Sequence, residues 1–155
     1  MKNASGSIVL VLCFLSMIAS ANDQIADGRA MIKAEREAMI QAELQLTESE
    51  AAEFWPLYEV YRQAYDEIMQ RYGAMLAEYL RLYDNAELSN DYADEMIETY
   101  FGVKQEMLQA QLDFLPELRA ILPALMVARF FQLENRFNAE IDAQLALIVP
   151  LADPT

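Results

Sequence analysis

Carboxylates are almost the only side chains in this sequence that could do chemistry. The chain holds 25 aspartates and glutamates, no histidine and one cysteine, Cys13. Paired carboxylates can act as general acid and base or bind hard metal ions, and helical pairs such as Asp94 with Glu98 are available. Because so many acids make adjacent pairs unavoidable, we favour the interpretation that they form solvated helix faces.

The residues that are missing exclude most classes of enzyme. Without histidine there is no Ser-His-Asp or Cys-His site, no ordinary zinc site, no histidine-ligated haem and no ferritin-like di-iron site. Gly28, Gly73 and Gly102 lie too far apart for a phosphate-binding loop, and the acidic stretch 84–95 lacks the ligand pattern of a calcium loop. We therefore predict a protein that is not an enzyme, with no catalytic residue, no cofactor and no metal.

The first 21 residues are typical of a secretory signal peptide. Lys2 provides a positive start, residues 8–18 are apolar apart from one serine and too short to span a bilayer, and Ala19-Ser20-Ala21 matches a signal peptidase site. We predict cleavage after Ala21 and a periplasmic location. An uncleaved anchor is the alternative. The remaining residues, 22–155, are predicted to form a single helical domain.

The net charge of −14 limits the partners of the chain. A strongly acidic surface repels phosphate backbones and anionic lipid headgroups. We therefore expect no nucleic acid partner and no membrane insertion after cleavage. Acidity favours basic partners instead, through contacts that weaken as the salt concentration rises.

The spacing of apolar residues predicts an all-α fold, an elongated arrangement of four helices. The second helix should follow a capping box in which Thr47 and Glu50 each accept a hydrogen bond from the backbone N–H of the other, and it should be long and kinked near Pro56. Prolines at 116 and 123 should bracket a break between the third and fourth helices. The predicted ranges are 23–44, 47–83, 89–115 and 123–148.

A row of tyrosines runs along the predicted second helix at seven-residue steps. Such a repeat of 3.5 residues packs long helices side by side. One interpretation is a core seam whose hydroxyls reach its rim. The other is a partly open aromatic strip that binds client proteins, since tyrosine offers large contact area and tolerates water. This tyrosine seam consists of Tyr58, Tyr65, Tyr72 and Tyr79.

Two predicted helix starts are alike. Leu46 and Thr47 open one, and Leu88 and Ser89 open the other 42 residues later, each with a leucine before a capping hydroxyl. The first start leads into Phe54-Trp55-Pro56. These motifs resemble the repeated Leu-Thr-x-x-Gln helix starts of the Spy/CpxP family of periplasmic stress proteins, although Glu50 and Tyr92 stand where that family has glutamine.

The resemblance implies a four-helix homodimer that shields unfolded proteins without ATP or regulates an envelope sensor. The acidity of this chain differs from the basic client-binding face of the family chaperone, and the histidines of metal-sensing relatives are absent. We therefore predict an ATP-independent periplasmic chaperone-like or stress-response protein, whose partners are unfolded or specific envelope proteins. The alternative is a signalling adaptor that docks one envelope partner.

Overall fold

The computed structural model describes the backbone of residues 22–153 and the side chains of residues 32–153. Over this range the chain forms four α-helices and no strand, so the predicted all-α class is confirmed. The predicted signal peptide lies outside the described residues. The helices are α1 (Asn22–Leu44), α2 (Glu48–Asp84), α3 (Asn90–Ile121) and α4 (Ala124–Ile148).

The chain divides into two compact units. The first unit contains the described residues up to Gln45 together with Arg129–Gln144, and therefore pairs α1 with the middle of α4. The second unit contains Leu46–Ala128 and the residues from Leu145 onward, and therefore holds α2, α3 and the end of the chain. The single elongated domain predicted for residues 22–155 stays a prediction.

The start of α2 confirms the predicted capping box. The backbone N–H of Glu50 donates to the Thr47 hydroxyl at 3.3 Å, and the backbone N–H of Thr47 donates to the Glu50 carboxylate at 2.9 Å. The Thr47 hydroxyl also donates to the Glu50 carboxylate at 2.8 Å. The two hydrogen bonds that this carboxylate accepts, above all the one from the Thr47 backbone, lower the pKa of Glu50. From this start α2 runs for 37 residues with Pro56 inside it. A bend at Pro56 stays a prediction.

The third helix is longer than the sequence indicated. Ser89 caps it by accepting a hydrogen bond from the backbone N–H of Tyr92 at 3.2 Å, but the helix then continues through Pro116 to Ile121. The predicted end near residue 115 is therefore wrong, and the predicted break is confined to Leu122 and Pro123, where α3 ends and α4 begins. A proline inside a helix removes the hydrogen bond to the carbonyl four residues earlier, and its ring clashes with that carbonyl. Here the proline is exposed while Phe114 and Leu118 are buried on either side of it, and their burial favours a continuous helix.

The core of the second unit lies between α2 and α3. The rings of Tyr61 and Phe114 stack with centroids 4.7 Å apart, and farther along the pair Ile68, Tyr72 and Val103 form a buried apolar cluster. Burial of these side chains is the main source of stability for two amphipathic helices in contact. Within residues 22–153, no helix combines the length and apolarity that crossing a membrane requires.

The first unit contains a buried ion pair. Arg36 of α1 donates to the Glu134 carboxylate of α4 at 2.9 Å, and neither residue has more than 7% of its surface exposed. The Arg36 guanidinium also lies 4.4 Å from the centre of the Phe137 ring. An ion pair in such surroundings fixes which faces of two helices meet, since a carboxylate buried without its partner would be strongly unfavourable.

Candidate interaction surface

The tyrosine seam is buried. None of Tyr58, Tyr65, Tyr72 and Tyr79 has more than 8% of its surface exposed. This corrects the interpretation of the seam as an open strip for client proteins, because rings without accessible surface have no face to offer a partner. The seven-residue repeat places the tyrosines on the side of α2 that packs into the protein, as the core interpretation expected.

Tyr79 shows how a buried hydroxyl in this seam is satisfied. It donates to the carbonyl oxygen of Pro150 at 2.8 Å, which ties the segment after α4 to α2 within the second unit. Burial raises the pKa of Tyr79, and the nearby Tyr83 adds to the rise. Tyr79 therefore stays protonated and keeps donating well into the alkaline range.

The motif residues cap helix starts or pack against neighbouring side chains, and they do not form a binding site together. Thr47 and Ser89 are exposed caps, while Phe54 has no exposed surface. Trp55 meets the Phe54 ring edge-on at 5.0 Å between centroids. Their arrangement accounts for local structure. The remaining motif positions are half-buried at Leu46, Glu50 and Leu88 and exposed at Pro56.

An exposed apolar ridge, which was not predicted from the sequence, runs along α3. Its four side chains have between 49 and 66% of their surface exposed. At 100° per residue they fall within a sector of about 60°, over a length of about 22 Å. Leu115 extends the same line as a half-buried residue. The α3 ridge consists of Ile97, Phe101, Leu108 and Leu112.

The ridge exists because α3 carries two apolar faces. Val103, Phe114 and Leu118 form the face that is buried. The ridge lies roughly a third of a turn away, and its spacings of four, seven and four residues make a second apolar repeat of about one helical turn. That repeat is the signal that could have revealed the ridge. Spacing alone does not tell which of two such faces a neighbouring helix covers.

Charges of opposite sign mark the two ends of the ridge. Asp94 and Glu98, both exposed, flank its beginning, and Arg119 lies on the same side of α3 beyond its end. Lys104 borders the middle, where its ammonium group lies 5.7 Å from the Tyr72 ring centre and 5.6 Å from that of Tyr100. The ridge is therefore an apolar strip with an acidic end and a basic end.

A shallow groove of about 240 Å³ lies between α2 and α3 on the second unit. The hydroxyl of Tyr92 donates there to the carbonyl oxygen of Met75 at 3.2 Å. Burial, followed by the charges of Glu78 and Glu95, raises the pKa of Tyr92. A hydrogen bond from Arg81 lowers the pKa of Glu78. The groove is lined by Arg71, Met75, Glu78, Tyr92, Glu95, Met96 and Thr99.

This groove offers no evident chemistry. Its glutamates disfavour an anionic ligand, and among the described residues no group of three acidic side chains is placed to hold a metal ion. Its lining mixes charged and apolar groups, whereas a typical small-molecule pocket is mostly apolar with a few convergent polar groups. The α3 ridge is therefore the stronger candidate for a functional surface.

Comparison of the chain with family models, with curated proteins and with solved structures finds no match. The resemblance to the Spy/CpxP family therefore stays a prediction that rests on the helix-start motifs.

Proposed function

We propose that this protein is an ATP-independent, exported, chaperone-like or envelope-stress protein that binds apolar segments of other proteins along the α3 ridge. The observation that carries the proposal is the ridge itself. Four large apolar side chains, each about half exposed or more, stand in line on one helix face. Scattered apolar residues are normal on a surface, but contiguous apolar patches mark interaction sites.

The strength of the ridge suits transient holding. Fully burying a leucine or phenylalanine side chain is worth about 1.5–3 kcal/mol, so half-exposed side chains still have on the order of 1 kcal/mol each to gain. The client adds a similar amount from its own side chains and loses conformational freedom when it binds. After an association cost of at least about 4 kcal/mol, about 4 kcal/mol remains, which corresponds to an affinity in the millimolar range. Such binding retards aggregation and releases a client without ATP.

The test is an aggregation assay with ridge variants. The exported protein, in several-fold excess, should slow the aggregation of varied denatured clients. Phe101→Gln/Leu108→Gln should lose most of this effect, because it removes the two most exposed ridge side chains. Glutamine keeps helix propensity close to that of leucine, so the variant should unfold at nearly the same temperature.

Val60→Gln is the matched control, since Val60 is 70% exposed and lies on α2. It should protect clients as well as the unsubstituted protein. Failure of the unsubstituted protein to slow aggregation would overturn the chaperone proposal. If the ridge variant protected clients as well as the unsubstituted protein does, the binding surface would lie outside the α3 ridge.

The alternative proposal is a signalling adaptor that docks a single envelope partner. The opposite charges at the ends of the ridge favour it, because they would hold a partner helix in one direction. Capture of one stoichiometric partner from envelope extracts, lost with the ridge variant and kept with Val60→Gln, supports the adaptor. Capture of many unrelated proteins supports the chaperone.

The other parts of the proposal come from the sequence. A periplasmic location follows from the predicted cleavage after Ala21. A homodimer follows from the length of α2, which at 37 residues spans about 55 Å and is long for one small chain to cover on every apolar side.

A further inference from the structure

The charges around the α3 ridge indicate what it binds. Asp94 and Glu98 lie one helical turn apart, are both exposed, and flank the end of the ridge that begins at Ile97 and Phe101. Like charges four residues apart on a helix repel each other, and the whole chain carries a net charge of −14. A cation placed beside the pair relieves the local repulsion, whereas an anion increases it.

We propose that the α3 ridge selects apolar segments that carry lysine or arginine at one end, with the basic end lying against Asp94 and Glu98. The inference rests on the proposed function, which supplies the ridge as the docking surface. The apolar side chains provide the binding energy, and the acidic pair determines which segments bind and in which direction. This partner class suits an acidic protein, because its field concentrates cationic segments near the ridge.

A second copy of this chain is a less suitable occupant. In an antiparallel arrangement Asp94 of one copy would approach Arg119 of the other, which is favourable locally. Against this, pairing brings together two chains that each carry a net charge of −14. A segment with a basic end meets the same acidic pair and lowers the total charge of the complex. The balance therefore favours a basic partner of another sequence.

The experiment uses the exported protein and three labelled synthetic peptides, with fluorescence anisotropy as the readout. The peptides share one leucine- and phenylalanine-rich stretch and differ only at one end, which carries two lysines, two serines or two glutamates. At low salt the lysine peptide should bind about tenfold more tightly than the serine peptide, the size expected for two surface ion pairs. The glutamate peptide should bind most weakly, and the differences should shrink at physiological salt.

Variants separate the local pair from the overall charge. Asp94→Asn/Glu98→Gln should bind all three peptides nearly equally while keeping the affinity for the serine peptide. The matched control, Glu53→Gln/Glu67→Gln, removes the same charge from exposed positions on α2 and should keep most of the discrimination. Equal loss of discrimination in both variants would overturn the assignment to Asp94 and Glu98.

The outcomes also distinguish this inference from the proposed function. Equal binding of the three peptides by the unsubstituted protein, with binding lost in Phe101→Gln/Leu108→Gln, overturns the charge selection and leaves the ridge as a binding surface. Absence of binding by all three peptides, together with no effect of the ridge variant on client aggregation, overturns both. Without peptide, the ridge variant and the unsubstituted protein should have the same molecular mass in solution. A lower mass for the ridge variant would mean that a second copy of the chain occupies the ridge, and would overturn the choice of a basic partner.

Discussion

At the scale of single residues, Glu134 departs most from what its type suggests. Glutamate is usually exposed, yet this side chain has no exposed surface and pairs with Arg36. Such a pair contributes less net stability than its geometry suggests, because both ions lose their hydration. Its main effect is to penalise any packing of α1 on α4 in which the two groups do not meet.

Removal of one partner should therefore lower the stability of the folded protein far more than removal of both. We expect Glu134→Ala to lower the free energy of unfolding by about 3 kcal/mol, because it leaves the Arg36 charge buried without its carboxylate. Arg36→Met/Glu134→Leu should lower the free energy of unfolding much less, since it removes both buried charges and keeps most of the side-chain volume. Urea denaturation followed by circular dichroism measures both changes.

The exposed ion pair between Arg129 and Glu43 provides the control in the same unit. Glu43→Ala should change the free energy of unfolding by less than about 1 kcal/mol, as is usual for surface pairs. If Glu134→Ala proved as mild as Glu43→Ala, the buried pair would not hold α1 against α4.

At the scale of helices, the start of α2 depends on the ionised form of Glu50. Thr47→Ala should lower stability by about 1 kcal/mol, because the cap of the first turn is lost. It should also raise the pKa of Glu50 towards its usual range, since the Thr47 hydroxyl no longer contributes a hydrogen bond. An NMR titration of the Glu50 carboxyl in both proteins measures this shift.

The sign of the pH dependence follows from the lowered pKa. The contribution of Glu50 is present above the pKa that it has in the unfolded chain and is lost as the pH falls through the lower pKa of the folded protein. The stability difference between the unsubstituted protein and Thr47→Ala should therefore shrink in acid. Ser89→Ala is the control, because Tyr92 has no carboxylate that could accept a hydrogen bond from that cap. The loss of stability caused by Ser89→Ala should therefore not change as the pH falls.

The continuity of α3 through Pro116 leads to a prediction of opposite sign. Pro116→Ala should raise the free energy of unfolding by about 1–3 kcal/mol, because alanine restores the hydrogen bond to the Leu112 carbonyl and removes the clash of the proline ring. Thermal unfolding provides the measurement. An unchanged or lower melting temperature would mean that the helix breaks at Pro116, as the sequence alone indicated.

These helices show which features a sequence reveals. The capping box at Thr47 was predictable because both partners lie within one turn, and α2 was predictable because its apolar spacing is regular over many turns. The burial of Glu134 was not predictable, since it depends on a residue 98 positions away and nothing in the neighbouring sequence distinguishes Glu134 from the other acids. The exposure of the α3 ridge was not predictable either, because α3 has two apolar repeats and only packing decides which of them is covered.

At the scale of the whole molecule, the net charge of −14 opposes association of the protein with itself while it attracts basic segments. The two kinds of association should therefore respond to salt in opposite directions. Screening weakens the repulsion between two acidic chains and also weakens the attraction between an acidic chain and a cationic segment. Salt concentration thus separates dimer formation from client binding without any substitution.

We expect the exported protein to be a dimer at micromolar concentration and its dimer to strengthen as salt is added. Light scattering over a salt series should show the rise in mean mass, and Phe101→Gln/Leu108→Gln should follow the same curve, because the ridge remains available for clients. Binding of the lysine-ended peptide should fall over the same series. A mass equal to that of a monomer at every salt concentration would overturn the prediction of a dimer. A dimer that weakens with salt would mean that contacts between opposite charges hold the copies together, as in the antiparallel pairing of Asp94 with Arg119.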